Sequence, residues 1–340
     1  MQFGVTDHID LSGVAPAALV RQRLELVELY ERLGFDRYMV TEHHGTPLNL
    51  FPSPHLWLAA ASQRTHRIRL GTLVSLLPLY HPVRLLEEIG ELDLLTSGRL
   101  ELGIGRGVSP PEIATYGIDP ADTPAMFAEM YEILLRGLSS EVLNHEGRFY
   151  SIADVLMVVP TVQKPRPPLW YGVGSGERAE WCARNGINMM SLLPPDRVRP
   201  LTDRFLAAWE ETGRPEHERP LRGVNRNLVI AEDGEEARRV AGDAYVAFRQ
   251  RLMFLWERSG VPAPPVFPPT FAQWQAVGGA FAGDPEEARQ YVAEQVELAG
   301  LDTMSFHLAF GDLSFENVNR TAELFAAEVM PAFAEVGAKS

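Results

Sequence analysis

The chain has 340 residues, 46% hydrophobic and 22% charged, which is enough apolar material for a large core and excludes an intrinsically disordered chain. Its 31 Lys and Arg against 45 Asp and Glu give a formal net charge of -14, a field that opposes nucleic acid as a partner. A single cysteine, Cys182, excludes an intrachain disulfide and a CxxC metal site. No apolar run approaches the ~18 residues that cross a bilayer, and the N-terminus lacks a basic segment followed by an apolar one, so a cytoplasmic protein away from membranes is expected.

Short β-branched or aliphatic runs alternate with longer stretches of helical periodicity. In chain order the strands are predicted at residues 2–5, 37–41, 68–74, 100–104, 169–173, 187–191, 221–231 and 303–308. Between and after them, helices are predicted at 15–33, 54–64, 82–96, 120–138, 175–185, 194–212, 234–257, 285–298 and 315–333. Several open with proline and end at Gly34, Gly98, Gly186 or Gly213, the asymmetry of helix caps. Eight strands with interleaved helices close most simply as one (β/α)8 TIM barrel over residues 1–340. An open doubly wound sheet is the alternative. Two insertions break the repeat. Residues 143–168 read as a hairpin, and 261–281, with five prolines beside Phe267, Phe271 and Trp274, reads as an irregular, mobile lid at the barrel mouth.

Chemistry in such a barrel gathers at the C-terminal ends of the strands. After the second strand comes Glu42-His43-His44. Adjacent histidines on an extended chain point to opposite sides, which disfavours a shared metal and leaves one of them to face a pocket as an acid/base group. After the fourth strand, Arg106 lies between Gly105 and Gly107; after the fifth, Gly174-Ser175-Gly176 opens a helix. Small residues at a helix N-terminus and an arginine on the neighbouring strand form a phosphate cradle. A plain glycine turn with Arg106 in a surface salt bridge is the alternative.

The order of these motifs resembles the luciferase-like flavin monooxygenases. Glu42-His43-His44, Arg69-Leu70-Gly71-Thr72, His81-Pro82-Val83-Arg84, Ser97-Gly98-Arg99-Leu100, Gly103-Ile104-Gly105-Arg106-Gly107, Gly174-Ser175-Gly176 and Gly283-Asp284-Pro285 carry the likeness. The resemblance implies a barrel that binds FMN, taken as reduced FMN from a transient flavin reductase, and uses O2 to oxygenate an apolar small organic substrate such as an aldehyde, ketone or natural-product intermediate. It implies a catalytic role for His43 with His44 and Glu42 beside it, and a cofactor site made of Arg106, Gly174, Ser175 and Gly176. It also puts Leu73 and Val74 next to the flavin ring, where the family often has a non-prolyl cis peptide, and it implies a homodimer through the second and third helices. Gly105 stands where the light-emitting subunit has a reactive cysteine, Gly174 where it has a glutamate, and Ser109 where it has an aromatic residue. These departures argue against light emission and leave flavin binding intact. Hydride transfer with a deazaflavin and a non-catalytic flavin-binding subunit are the competing functions.

Overall fold

The computed structural model describes residues 1–262 and 267–337. Eleven strands are present among them: β1 (Gln2–Asp7), β2 (Arg37–Val40), β3 (Arg69–Leu76), β4 (Leu100–Gly105), β5 (Val142–Glu146), β6 (Ser151–Leu156), β7 (Leu169–Gly172), β8 (Asn188–Ser191), β9 (Arg222–Ile230), β10 (Ala280–Gly283) and β11 (Thr303–His307). The helices are α1 (Pro16–Leu33), α2 (Pro54–Ser62), α3 (Pro82–Leu95), α4 (Pro110–Thr115), α5 (Thr123–Gly137), α6 (Gly176–Asn185), α7 (Pro195–Glu210), α8 (Gly234–Ser259), α9 (Phe271–Ala276), α10 (Pro285–Ala299) and α11 (Phe315–Leu324).

Eight of the strands pair in parallel in the order β1-β2-β3-β4-β7-β8-β9-β11, and the β11–β1 pairing closes the ring. This is the TIM barrel expected, and the closure excludes the open sheet. All nine residues of β9 are buried, as strands covered on both faces require. That strand is long enough to serve three neighbours. Its first half pairs with β8 and β11, and its second half, past the barrel proper, pairs with β10.

Helix boundaries follow local chemistry. Proline occupies the first helical position of α1, α2, α3, α7 and α10, where its missing N–H is no loss. Gly34, Gly186, Gly260 and Gly300 close α1, α6, α8 and α10 in the left-handed conformation. The last predicted helix is interrupted: α11 gives way to a π-helical turn over Phe325–Val329 just before Pro331, which has no N–H to continue the ladder.

Strands β5 and β6 form an antiparallel hairpin within the first insertion. The second insertion carries more regular structure than its prolines suggest, namely α9 and the beginning of β10; residues 263–266 lie outside the described residues. Phe271 and Trp274 are buried in a small hydrophobic cluster with Ala237, Tyr245 and Phe248 of α8 and with Phe310. The Tyr245 hydroxyl donates to the Pro268 carbonyl at 2.9 Å, and Gln275 both donates to and accepts from the Ala282 backbone. The larger core lies between the barrel wall and the remaining helices. No helix among the described residues is long and apolar enough to cross a membrane.

Candidate active site

A cavity of about 630 Å³ opens at the C-terminal ends of the strands, within the size range of small-molecule sites. Its lining comes from all eight barrel strands or the loops just after them, and from α8 and the second insertion.

One side of the cavity is shaped by β3 and β4. The Leu73–Val74 peptide bond is cis, as the family resemblance implies, and the register with β4 shifts between Thr72 and Ser75. Both side chains face the cavity. Opposite them only glycine fits: a Cβ on Gly103 would lie 2.1 Å from the Thr72 carbonyl oxygen, and one on Gly105 would lie 2.4 Å from a Val74 methyl. A cysteine at position 105 would therefore run into the Val74 side chain.

Next along the wall, Arg106 and the N-terminus of α6 meet. Gly174 and Ser175 line the cavity, and Ser175 is the N-cap of α6, accepting from the Arg178 backbone at 3.4 Å. Gly176 does not line it. A Cβ there would run into the Arg204 guanidinium, which covers this residue while pairing with Glu180. Arg178, which the sequence reading passed over, lines the cavity in its place, about 6 Å from the rings of Tyr171 and Trp181. Among the described residues neither the Arg106 nor the Arg178 guanidinium has an ion-pair partner, although most other arginines do. Two cations without ion-pair partners beside a helix N-terminus have the chemistry to hold an anion.

The loop after β2 separates its two histidines. His43 reaches the cavity, with Nδ1 3.6 Å from a carboxylate oxygen of buried Glu112 on α4. His44 does not. Its Nε2 is 2.8 Å from Glu42, its Nδ1 2.7 Å from the Tyr116 hydroxyl, and its backbone N–H donates to Glu112 at 2.5 Å. Glu42 touches the cavity, but its second oxygen accepts from the Leu76 N–H and the Tyr80 hydroxyl, so both oxygens are engaged. Burial and the Glu42 carboxylate push the Tyr80 phenol well above its usual range, so it stays a donor. Glu42 and His44 thus brace the loop that presents His43.

The far side of the cavity holds residues that sequence reasoning missed. His8 follows β1, His307 ends β11, and Asn225 and Asn227 sit two apart on β9, facing inward. The His8 and His307 rings stack at 4.5 Å, and His8 lies 5.5 Å from His43 between ring centres. His8 Nδ1 is 2.7 Å from the Thr41 hydroxyl. Burial, with neighbouring imidazoles adding to it, holds His8 well below the ordinary histidine range; burial lowers His307 to about 4, against an opposing Thr6 carbonyl. Both are neutral imidazoles at neutral pH. The overlooked signal was position: these residues also stand at strand ends, but they fit no metal spacing. No group of three potential metal ligands is assembled among the described residues.

A closed barrel with two unpaired arginines beside a helix N-terminus at one wall of a large cavity and a histidine at another has the parts a flavin-dependent barrel oxidoreductase uses. The chain belongs to the luciferase-like monooxygenase family, whose profile matches residues 1–305. It is 35% identical over 330 residues to an uncharacterized protein, y4wF, of Sinorhizobium fredii, covering 97% of this chain and 96% of that one. It is 26% identical to the oxygenase component of a flavin-dependent trigonelline monooxygenase of Acinetobacter baylyi, covering 93% and 91%. The crystal structure of monooxygenase RslO1 from Streptomyces bottropensis superposes with a TM-score of 0.87 at 29% identity, covering 98% of this chain and 100% of the other. At 17% to 20% identity and TM-scores of 0.73 to 0.79, an FMN complex and F420-dependent enzymes share the fold alone.

Proposed function

We propose that the protein is the oxygenase component of a two-component system, taking reduced FMN from a separate flavin reductase and inserting one atom of O2 into an apolar small organic substrate such as an aldehyde, ketone or natural-product intermediate. The observation that carries this reading is the pair of uncompensated cations, Arg106 and Arg178, at the N-terminus of α6, opening into the same cavity as Leu73–Val74 and His43. When bound, the flavin supplies the electrons that activate O2. Arg106, Arg178, Ser175 and the Gly174 backbone hold its phosphate, and Leu73 and Val74 support the ring. His43, with Nδ1 held towards Glu112, keeps Nε2 for proton exchange with the reacting substrate. Phe267 and Trp274 line the cavity from the second insertion and exclude water as a lid.

Two copies of the chain pair through α2 and α3. Helix α2 buries His55, Leu58 and Ala61 inward while Leu56, 64% exposed, faces out beside Ala60, and Leu94 and Leu95 of α3 are also exposed, so the helix pair is apolar on two faces.

The deciding experiment is an anaerobic titration of the protein with reduced FMN, oxidised FMN and reduced F420, followed by admission of isotope-labelled O2. Preferential binding of reduced FMN and label in the organic product support the reading. Hydride transfer from F420 without oxygen uptake overturns it.

A further inference from the structure

We propose that the end of the cavity formed by β1, β9 and β11 is a recognition site for a neutral aromatic substrate whose polar end both gives and takes a hydrogen bond, a hydroxyl or carboxamide rather than a carboxylate or an ammonium group. The proposal rests on the oxygenase reading and specifies its substrate class.

The first observation is buried polar atoms without partners, two of them on β9, with Trp274 Nε1 and His307 Nδ1 also unpartnered among the lining residues. Asn225 is 4% exposed and Asn227 2%, and both line the cavity. One terminal atom of the Asn225 amide lies 2.9 Å from His307 Nε2. With the Asn225 nitrogen on His307, the Asn225 oxygen is left bare as an acceptor, and Asn227 Nδ2 is left bare as a donor. An unmade hydrogen bond at a buried polar atom is costly, and such atoms are rare in native interiors, so two on one inward face of β9 mark a place where a ligand completes the set.

The second observation is charge. Among the described residues this end carries no free ion: His8 and His307 are held neutral by burial, and both oxygens of Glu42 are engaged. The unpaired cations of the cavity, Arg106 and Arg178, belong to the opposite wall on β4 and α6. A substrate carboxylate would be desolvated here without a counter-ion, and a substrate ammonium likewise. A hydroxyl or carboxamide can donate to the Asn225 oxygen and accept from the Asn227 nitrogen.

The third observation is shape. Phe248, Leu252, Phe267, Trp274 and Met190 make the adjoining walls, and three of the five are aromatic. Flat apolar faces over a polar end suit a planar ring with one polar substituent.

The test compares 2-naphthamide with 2-naphthoate, probes of nearly the same shape that differ in charge and in the ability to donate, by calorimetric titration of the full chain with and without FMN. The amide is expected to bind at least about tenfold more tightly, as follows when one buried group is left unpaired. Asn227→Leu should bring the two affinities within about threefold of each other while leaving the FMN affinity, read at the opposite wall, unchanged. Equal or tighter binding of naphthoate, failure of both probes to bind at millimolar concentration, or survival of the preference in Asn227→Leu would overturn the proposal. The wild-type comparison needs no variant and stands even if Asn227→Leu does not fold. Loss of FMN binding with the amide preference intact would instead count against the flavin reading alone.

Discussion

His307 should give this protein a measurable part of its acid sensitivity. In the unfolded chain an imidazole titrates near 6.5, whereas burial lowers His307 to about 4 in the fold. Between those values the unfolded chain takes up a proton that the native state refuses, so the stability associated with this residue is complete above 6.5 and is lost as the pH falls towards 4. For a shift of that size, from 6.5 to about 4, the loss at about pH 5 is about 2 kcal/mol relative to neutral pH. His8, also lowered by burial, acts in the same sense. Asp10 acts oppositely: burial raises it to about 6 despite Arg23 and Arg251, so its contribution is present at low pH and is lost as the pH rises through 6. Replacing His307 by Asn separates these contributions. Urea unfolding followed by tryptophan fluorescence at about pH 7 and about pH 5 should show wild type losing about 2 kcal/mol more than His307→Asn, with relief of His8 adding to the same sign. Equal losses in the two proteins would refute the assignment of His307 as a buried neutral imidazole.

Arg106→Ala and Arg178→Ala should each weaken reduced FMN about ten- to a hundredfold in a fluorescence titration, the scale of one charged hydrogen bond lost from a phosphate; unchanged affinity would remove that residue from the site. His43→Ala should leave flavin affinity near wild type and slow single-turnover oxygenation with pre-reduced flavin about a hundredfold or more. Phe267→Ala should raise the ratio of released hydrogen peroxide to organic product, because a less complete cover admits water; an unchanged ratio would dispose of the lid. Leu56→Glu should convert the dimer to a monomer in light scattering at micromolar concentration, and a wild type already monomeric there would end the dimer proposal.

The barrel strands were legible because parallel strands covered on both faces read as short apolar runs, and the helices because proline and glycine mark their ends, as at Pro54, Pro82 and Pro285 or at Gly34 and Gly186. Helices α4 and α9, of six residues each, are too short to show a period. The site was legible only where a motif is contiguous. Glu42-His43-His44 announced itself, but nothing local told which histidine would face the cavity; that choice is made by Glu112 and Tyr116, about seventy residues further on. Gly176 belonged to a recognisable turn and is nonetheless covered by Arg204 from α7. Asn225 and His307 were invisible as a pair because 82 residues separate them and only the parallel pairing of β9 with β11 makes them neighbours.

The small cluster around α8 and α9 has a consequence for how such a protein can change. Phe248 and Trp274 belong to it, and both also form cavity wall, while the packing that holds the barrel together belongs to the other, larger cluster. Packing strain is felt through direct contact, so a change at Phe248 is met by Tyr245, Phe267 and Phe310 and by His8 and His307 at the strand ends, and a change at Trp274 is met by Phe267. The pocket can be reshaped by selection or by a designer in one compartment while the proposed cofactor site beside β4 and α6 is left as it stands.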